Sequence, residues 1–509
     1  MACQAAPKRA MRHPAGTFAP SIFRGMSAES RMQSPGFTSW LLVAALLASR
    51  SYARAEIEPK AVPIDHLLIV YLENHTFDNL FGLFSGANGI MSPEAAVPQV
   101  DRDGKPYEWL PPVTIGYPYP PRLDPRFPKQ LPNRSFPINR YVPLEKIVEM
   151  PVHRFYPNIL QINGGKNNKF VSWGDSGALP MGYFDTTKLP LYPYARQYVL
   201  ADHWFTSSFG GSFLNHFWLV CACTGVFPNA PAKLVARPIL DRAGRVVGME
   251  KDTGSVSPDG YAIDHLEPFN PPFTAGTPDD ERVPPQTFPT IGDRLSDAGV
   301  SWAWYAEGWD DAVAGHPAPS FTPHQQPFLY FARYAPGTKA RAEHLKDEQD
   351  LWQALRDGTL PSVAWYKPLN VDSDNAGEGS MLVAEQRIVK LIEAVKASKL
   401  WPRTAIVISW DDYGGFFDHV PPPVIDRWGP ANRVPTLIIS PWAKRSYVDS
   451  TQYETVSILR FIEWRWGLQP LSSRDAKAAN LLPAFDFASP PPAHGGSTSP
   501  AQSGGRAKR

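Results

Sequence analysis

Residues 64–72 read Ile-Asp-His-Leu-Leu-Ile-Val-Tyr-Leu and are followed directly by Glu73, Asn74 and His75. A short apolar run of this kind is typical of a parallel strand that is buried on both faces. Two more such runs lie at residues 404–409 and 436–440. Between the runs, residues 381–396 place apolar side chains three to four positions apart, as helices do. The sequence therefore predicts an α/β fold with a central, mostly parallel sheet and helices on both faces.

Polar residues follow two of the predicted strands, where α/β sheets bind ligands. Glu73 and Asn74 follow the first run, and Asp411 and Asp412 come just after the second. Carboxylate and amide oxygens suit a divalent cation. Either pair alone is more often a helix cap or a solvated turn. Two such pairs on one sheet can converge, and together they predict a metal site.

The third candidate element is Gly210-Gly211-Ser212. Glycines before a serine permit close approach of the backbone to an anion, and a following helix adds its N-terminal dipole. The Ser212 hydroxyl could then bind a metal and attack phosphorus. On spacing alone, an ordinary turn with Ser212 as helix N-cap is the favoured alternative.

Two protease or esterase motifs compete with this interpretation. Residues 174–177 read Gly-Asp-Ser-Gly, the short string around the nucleophile of chymotrypsin-like proteases. The alternation of strands and helices does not fit the β-barrel of those proteases, so we expect an ordinary loop. The Gly-x-Ser-x-Gly nucleophile elbow of carboxylesterases does not occur in the sequence.

The N-terminus predicts export. Four arginines precede an apolar run at residues 40–48, which is followed by Ala53-Arg54-Ala55. This pattern predicts a signal peptide and leader over residues 1–55, because the apolar run is short for an uncleaved membrane anchor. We expect a periplasmic or secreted protein with a catalytic domain at residues 56–485. Residues 486–509, rich in proline, glycine and serine towards their end, predict a disordered tail.

Charge and cysteine content add two expectations. Fifty basic and 49 acidic residues give a net charge of +1, so we expect no nucleic-acid partner. No stretch after the leader has the sequence of a membrane-spanning segment, so we expect no stable membrane span after signal cleavage. Cys3 lies in the leader, which leaves Cys221 and Cys223. They could form a short-loop disulfide, half a metal site, or two buried apolar side chains, and the last is the commonest outcome.

Longer motifs resemble a known family. Residues 64–82 resemble the opening signature of a bacterial phosphoesterase family that contains phosphatidylcholine-type phospholipases C and AcpA-like acid phosphatases. Residues 411–423 resemble its second signature, with two acidic residues, Gly-Gly, aromatics, Asp-His-Val and prolines. The acid-phosphatase branch is matched more closely, through His-Arg-Phe-Tyr at 153–156 and Gln-Ile-Asn-Gly-Gly-Lys at 161–166.

The resemblance implies a fold similar to alkaline phosphatases and sulfatases. It also implies a nucleophile, Ser212, that forms a phosphoserine intermediate, and two further catalytic residues, His153 and His324. The substrates it implies are small phosphomonoesters, or alternatively the phosphodiester head groups of phospholipids. A divalent metal ion, whose identity the sequence does not define, would be held by Glu73, Asn74, Ser212, Asp411 and Asp412.

The sequence departs from the family pattern at two positions. Gln325 stands where the acid-phosphatase branch usually has a second histidine, and Asn375 stands where members commonly have one. We expect these changes to slow the enzyme or to favour good leaving groups. Because Ser212 and the acidic residues are retained, a non-catalytic binding protein of the same fold is the weaker alternative. The remaining histidines near these motifs are expected to be structural, namely His75, His203, His216 and His419.

Overall fold

An eight-stranded sheet lies at the centre of the protein, whose computed structural model describes residues 57–115, 120–251 and 253–489. In chain order its strands are β1 His66–Leu72, β2 Val199–Ala201, β3 Trp302–Ala306, β4 Leu345–Asp347, β5 Val363–Lys367, β6 Thr404–Trp410, β7 Thr436–Ile439 and β8 Tyr447–Asp449. Their order in space is β4-β3-β5-β1-β6-β7-β2-β8.

The middle of the sheet is parallel and fully buried. β1 lies between β5 and β6 and runs parallel to both, with Leu68 opposite Ala364 on one side and Ile406 on the other. Every residue of β5 and β6 is buried, as is every residue of β1 after His66. Burial on both faces explains why these strands have continuous apolar sequences. The predicted α/β class is confirmed.

One predicted strand runs in the opposite direction. β7 pairs antiparallel with β6, where Thr436 lies opposite Ser409, and antiparallel with β2, where it lies opposite Ala201. The expectation of a parallel strand at residues 436–440 was therefore wrong. A strand that is buried on both faces gives the same apolar run in either direction, so the pattern does not fix the direction.

Eleven α-helices lie among the described residues. The longest spans Met381–Ala397, as predicted, and buries Ile388, Leu391 and Val395 along one face. In chain order the helices are α1 Phe77–Phe81, α2 Phe155–Ile162, α3 Tyr192–Gln197, α4 Ser212–Cys221, α5 Ile291–Asp297, α6 Trp309–Val313, α7 Lys339–His344, α8 Glu348–Asp357, α9 Met381–Ala397, α10 Ser457–Trp466 and α11 Ser473–Lys477.

Cys221 and Cys223 form a disulfide. The expectation of two unbonded apolar side chains was wrong. Helix α4 ends at Cys221, and Ala222 then takes the left-handed conformation with φ of 48°. This turn reverses the chain within one residue and brings the two sulfur atoms together.

The ends of the chain bear on the predicted domain limits. The predicted signal peptide at residues 1–55 and the tail from residue 490 lie outside the described residues. At the start of the predicted tail, Phe487 stacks on Phe485, and the Asp486 amide donates to the Trp442 carbonyl. Within the described ranges, no helix has the length and apolar character needed to cross a membrane.

Candidate active site

The carboxyl ends of three neighbouring parallel strands meet at one edge of the sheet. Glu73 follows β1, Lys367 is the last residue of β5, and Asp411 follows β6. Asn74 and Asp412 come next along the chain, and all five residues are buried. The two polar pairs predicted from the sequence therefore lie at the same place, together with a lysine that the sequence analysis did not select.

Ser212 joins these two pairs. Its Oγ lies 2.8 Å from Glu73 Oε2, 3.0 Å from Asp412 Oδ2 and 3.3 Å from Asn74 Oδ1. Ser212 is the first residue of helix α4, and Gly211 occupies the N-cap position. The alternative of Ser212 as helix N-cap is thus excluded, since its side chain points at the acidic residues.

Glycines make this close arrangement feasible. A Cβ atom on Gly211 would stand 2.7 Å from the carbonyl oxygen of His153 and 2.9 Å from its Cδ2. Gly414 has φ of +56°, and a Cβ there would stand 2.0 Å from the Asn74 carbonyl oxygen. Neither position could carry a side chain without moving backbone. The glycines therefore let His153 approach Ser212 and let the loop after β6 approach Asn74.

Hydrogen bonds fix the orientation of the ligand-like oxygens. Asp411 Oδ1 accepts from the Asn74 amide at 3.1 Å and from the Asp412 amide at 2.7 Å. Asn74 has a left-handed φ of 70°, and its side-chain Nδ2 donates to Asn375 Oδ1 at 2.8 Å. Asn375 thereby orients the Asn74 side chain so that its Oδ1 lies 3.3 Å from the Ser212 Oγ.

The site concentrates negative charge away from water. Lys367 Nζ lies 2.5 Å from Glu73 Oε1. Burial works to raise the pKa of Glu73, but Lys367, His216 and the hydrogen bond from Ser212 together outweigh it and the pKa is lowered. Burial, together with Glu73 and Asp412, raises the pKa of Asp411 well above its usual range. Burial also raises the pKa of Asp412 to about 6, although nearby His153 works to lower it.

This donor set fits a hard divalent cation. If all three carboxylates are ionised, they outweigh the one ammonium by two negative charges, which is costly in a buried site unless a cation compensates them. Asp411 Oδ2 has no hydrogen-bond partner among the described residues. Glu73, His216 and Asp411 offer ligand atoms within 4.8 Å of one another. His216 Nδ1, however, donates to the Ser212 carbonyl at 2.7 Å, so oxygen ligands remain the better candidates.

The two predicted catalytic histidines both contact residues at the start of helix α4. His153 donates from Nδ1 to the Pro151 carbonyl at 2.9 Å and packs against Gly211. His324 packs edge-on against His216, one turn beyond Ser212 in α4, with ring centroids 5.3 Å apart. Burial, followed by neighbouring histidines, lowers the pKa of His324 well below its usual range.

The other singled-out residues have structural roles. His75 bonds to the Asp374 carbonyl at 2.8 Å and stacks on Phe416, as expected for a structural histidine. Burial lowers its pKa to about 4. Gln325 Nε2 donates to Asn370 Oδ1 at 2.8 Å. The amide of Gln325 is thus used to hold the loop after β5.

Lys367 was missed by sequence analysis although a signal was present. It ends the strand Val363–Lys367, which is apolar before it, and it is fully buried. The rule that selected Glu73 and Asp411, a polar residue at the carboxyl end of a buried strand, also selects Lys367.

The strand order and site geometry agree with a family match. The model of the Phosphoesterase family matches residues 64–469. The chain therefore belongs to the Phosphoesterase family, and it is a hydrolase that acts on phosphate esters. The resemblance recognised from the two signatures is confirmed at the level of the family. Membership of the acid-phosphatase branch remains a prediction.

Several curated relatives are phospholipases C. Phospholipase C A of Mycobacterium tuberculosis is 25% identical over 488 residues, covering 88% of this chain and 82% of that protein. The non-hemolytic phospholipase C of Burkholderia pseudomallei is 24% identical over 485 residues, with 84% and 59% covered. The hemolytic phospholipase C of Pseudomonas aeruginosa is 23% identical over 479 residues, and the chain spans 56% of its length.

Two solved structures are partly similar to this chain in fold. An alkaline phosphatase superfamily protein from Vibrio parahaemolyticus has a TM-score of 0.30 at 9% identity, covering 56% of this chain and 65% of that one. BT1596, a 2-O GAG sulfatase, has a TM-score of 0.31 at 11% identity, covering 60% and 70%. These scores support no inference about activity, and the fold is defined by the strand order given above.

Proposed function

We propose that the protein is an exported, metal-dependent phosphomonoesterase in which Ser212 forms a phosphoserine intermediate. The observation that carries this proposal is the position of the Ser212 Oγ, within 3.3 Å of oxygens from Glu73, Asn74 and Asp412. Such convergence on one hydroxyl is unexpected for a helix terminus and expected for an activated nucleophile.

The residues of the chain supply nucleophile, proton acceptors and donors. Ser212 Oγ attacks phosphorus, and the carboxylates of Glu73 and Asp412 are within reach of its proton. His153 has its Nδ1 occupied by the Pro151 carbonyl, which leaves Nε2 for the phosphoryl oxygens. His324 donates a proton to the leaving oxygen. Water then hydrolyses the phosphoserine and regenerates the hydroxyl.

A divalent cation would be held by Glu73, Asn74, Ser212, Asp411 and Asp412. When bound, it would lower the pKa of the Ser212 hydroxyl and neutralise phosphate charge. The excess of two negative charges supports this assignment independently of the family resemblance. Lys367 would remain paired with Glu73 Oε1, so that only part of the Glu73 carboxylate is available to the cation.

A phospholipase C is the second candidate function. The observation in its favour is that the curated relatives named above are phospholipases C at 23–25% identity. The acid-phosphatase assignment is supported instead by the strings at residues 153–156 and 161–166. The first of these strings contains His153, which packs against the glycine that precedes Ser212.

Two features support export to the periplasm or beyond. The first is the predicted signal peptide at residues 1–55. The second is the disulfide between Cys221 and Cys223, because disulfides persist mainly in oxidising compartments. N-terminal sequencing of exported protein should find a start near Glu56, and a start before Trp40 would contradict the assignment.

The substrate class can be tested with three substrates in parallel. Purified mature protein, stripped of metal and refilled with individual divalent ions, would be assayed on p-nitrophenyl phosphate, bis(p-nitrophenyl) phosphate and phosphatidylcholine. We expect metal-dependent turnover that is fastest on the monoester. Fastest turnover of phosphatidylcholine would establish the phospholipase instead, and full activity of the stripped protein would contradict metal dependence.

The nucleophile needs a matched serine control. Ser212→Ala should abolish turnover on all three substrates, while Ser176→Ala should keep it. Ser176 is also buried and lies in the protease-like string, where its hydroxyl contacts only Asp175 Oδ1 at 3.4 Å. Loss of activity in Ser176→Ala with activity retained in Ser212→Ala would reverse the assignment.

A further inference from the structure

His265 lies against His324 at the outer side of the site. The Nδ1 atoms of the two rings are 3.1 Å apart, and the ring centroids are 5.2 Å apart. In such a contact one nitrogen must carry a proton and the other must accept it. His324 is 7% exposed, whereas the side chain of His265 is 48% exposed. The pair therefore connects a buried ring to the solvent.

Glu267 holds the far side of the His265 ring. His265 Nε2 lies 3.5 Å from Glu267 Oε1. The glutamate is itself fixed by Thr274, whose amide donates to Oε2 at 3.0 Å and whose hydroxyl donates to Oε1 at 2.8 Å. Burial works to raise the pKa of Glu267, but hydrogen bonds from His265 and Thr274 outweigh it and the pKa is lowered. The Glu267 carboxylate therefore faces the Nε2 atom of His265.

The segment that carries His265 is also tied to the His153 side of the site. Asp264 Oδ1 accepts from the amide of Phe155 at 3.0 Å, at the start of helix α2 and two residues after His153. One short segment thus contacts the elements that carry both predicted catalytic histidines. These two contacts connect the His265 segment to both sides of the site.

We propose that His265 is the proton store for His324, so that Glu267, His265 and His324 form a relay serving both halves of the reaction. This inference rests on the proposed function. In the starting state His265 carries protons on both nitrogens and His324 carries one, on Nε2. As the ester P–O bond breaks, the Nε2 proton moves to the leaving oxygen, and the His265 Nδ1 proton moves to His324 Nδ1.

The second half-reaction restores the starting state. His324 now carries a proton only on Nδ1, so Nε2 accepts a proton from the water that attacks the phosphoserine. The Nδ1 proton returns to His265. Over the cycle one water is consumed, an alcohol and a phosphate are formed, and both rings regain their protons. His265 acts only through His324 and is a positioning and proton-storing residue.

The groups that face the relay are consistent with transfer between the rings. His265 faces His324 and Glu267. His324 faces His216, and the charge of Lys367 is close enough to disfavour a cationic His324. The positive charge of the pair is therefore better placed on His265, next to Glu267, than on the buried ring.

The test compares His265→Ala with His316→Ala, a matched control because His316 is exposed and lies outside the site. The substrates are p-nitrophenyl phosphate and an alkyl phosphate such as glycerol 2-phosphate. Help from a general acid matters most for a basic leaving group and is typically worth about 10²- to 10⁴-fold. Because His265 acts through His324, His265→Ala should lower kcat on the alkyl ester about 10- to 100-fold. On the aryl ester, kcat should fall by less than about threefold.

Added imidazole provides a readout that a structural role would not move. It should restore the alkyl-ester rate of His265→Ala in proportion to its concentration, and the pH profile of kcat should change in this variant and in Glu267→Gln. An equal loss on both esters, or a lack of rescue by imidazole, would overturn the relay. Wild type and Ser212→Ala are run beside them. Turnover that does not depend on Ser212 contradicts the proposed function itself. Turnover that depends on Ser212 but keeps the wild-type kcat in His265→Ala contradicts only the relay.

Discussion

Two buried acidic clusters lie after the same two strands, and only one of them is neutralised by the protein. The Ser212 cluster contains Glu73, Asp411 and Asp412 together with Asn74 and Lys367. The Arg433 cluster contains Asp78, Asp418 and His419 together with Arg433. At each cluster three residues offer ligand-type atoms within 4.8 Å of one another, namely Glu73, His216 and Asp411 at the first and Asp78, Asp418 and His419 at the second. Acidic content and spacing therefore do not distinguish a metal site from a structural ion pair.

The difference lies in what the carboxylate oxygens bond to. Arg433 donates to Asp418 Oδ1 at 2.8 Å and to Asp78 Oδ1 at 3.1 Å. His419 donates to Asp78 Oδ2 from its ring at 2.7 Å, and burial of Arg433 is complete. In the Ser212 cluster, by contrast, Asp411 Oδ2 has no hydrogen-bond partner within the described part of the chain, and the Glu73 and Asp412 carboxylates converge on a hydroxyl. A satisfied cluster stabilises the fold, whereas an unsatisfied one is available for chemistry.

The largest expected effect is on activity in the Ser212 cluster. Asp411→Asn keeps the shape of the side chain but removes one negative charge and one ligand. We expect bound metal to be lost and kcat/KM to fall about 10³- to 10⁴-fold, or ~4 to 5.5 kcal/mol of transition-state stabilisation. The folded state should be retained, because burial and the neighbouring carboxylates already disfavour a negative charge on Asp411 in the metal-free site. Full metal occupancy in the variant, measured by elemental analysis, would count against the assignment.

The Arg433 cluster should respond in stability. Arg433→Met removes the arginine that both carboxylates share and leaves Asp78 with the His419 ring as its remaining ionisable partner. Breaking a buried ion pair in this way typically costs about 3–5 kcal/mol. Urea unfolding of metal-free protein measures this loss directly. A loss below about 1 kcal/mol would mean that the two clusters do not differ in the way described. Metal content of any folded fraction should stay at the wild-type level.

Asp374 is a buried carboxyl that belongs to neither cluster. Among the described residues it is paired neither with an arginine, as in the Arg433 cluster, nor with a set of oxygen donors, as in the Ser212 cluster. Among the residues that the structure describes, neither of its oxygens has a hydrogen-bond partner, and burial raises its pKa to about 8 from the usual 3.8. In the folded protein the Asp374 carboxyl stays protonated up to about pH 8, whereas in the unfolded chain it ionises above about pH 3.8. The stability that it contributes is therefore fully present below about pH 4 and is lost as pH rises through about 8.

Asp374→Asn should remove this dependence on pH, and asparagine tolerates the left-handed φ of 64° at this position. Between pH 4 and 8 the free energy of unfolding of the wild type should fall more steeply than that of the variant, by up to about 1.4 kcal/mol per pH unit. Asp357→Asn on the exposed face of α8 is the control. Parallel curves for wild type and Asp374→Asn would show that Asp374 is ionised at neutral pH.

Local patterns predicted the parts of the molecule that depend on neighbouring residues in sequence. The runs that form β1 and β6 and the period of α9 were sufficient to assign the fold class, and the strand-end rule found Glu73 and Asp411. The direction of β7 was missed because a strand buried on both faces has no directional pattern. The disulfide at Cys221 was missed because it depends on one left-handed residue, Ala222.

Contacts between distant segments were beyond the sequence pattern. Asn375 was recognised only as a substituted position, and its bond to Asn74, 301 residues away in sequence, gives it a role in orienting a ligand. His265 lies in no motif recognised in the sequence, and its proposed role depends on the 3.1 Å distance between its Nδ1 and that of His324. The structural role expected for His419 depended on the proline run beside it, and Asp78 and Arg433 supply the physical reason for that role.

The central claim is that Ser212 attacks phosphorus, and trapping the intermediate tests it most directly. Wild-type protein in turnover with a ³²P-labelled phosphomonoester would be quenched in acid, digested and analysed by mass spectrometry, with Ser212→Ala and Ser176→Ala treated alike. We predict that phosphate is found on Ser212 in the wild type and in Ser176→Ala, and on no peptide of Ser212→Ala. Turnover by the wild type without labelled Ser212, together with a near-normal rate in Ser212→Ala, would show that water attacks directly and would contradict the account.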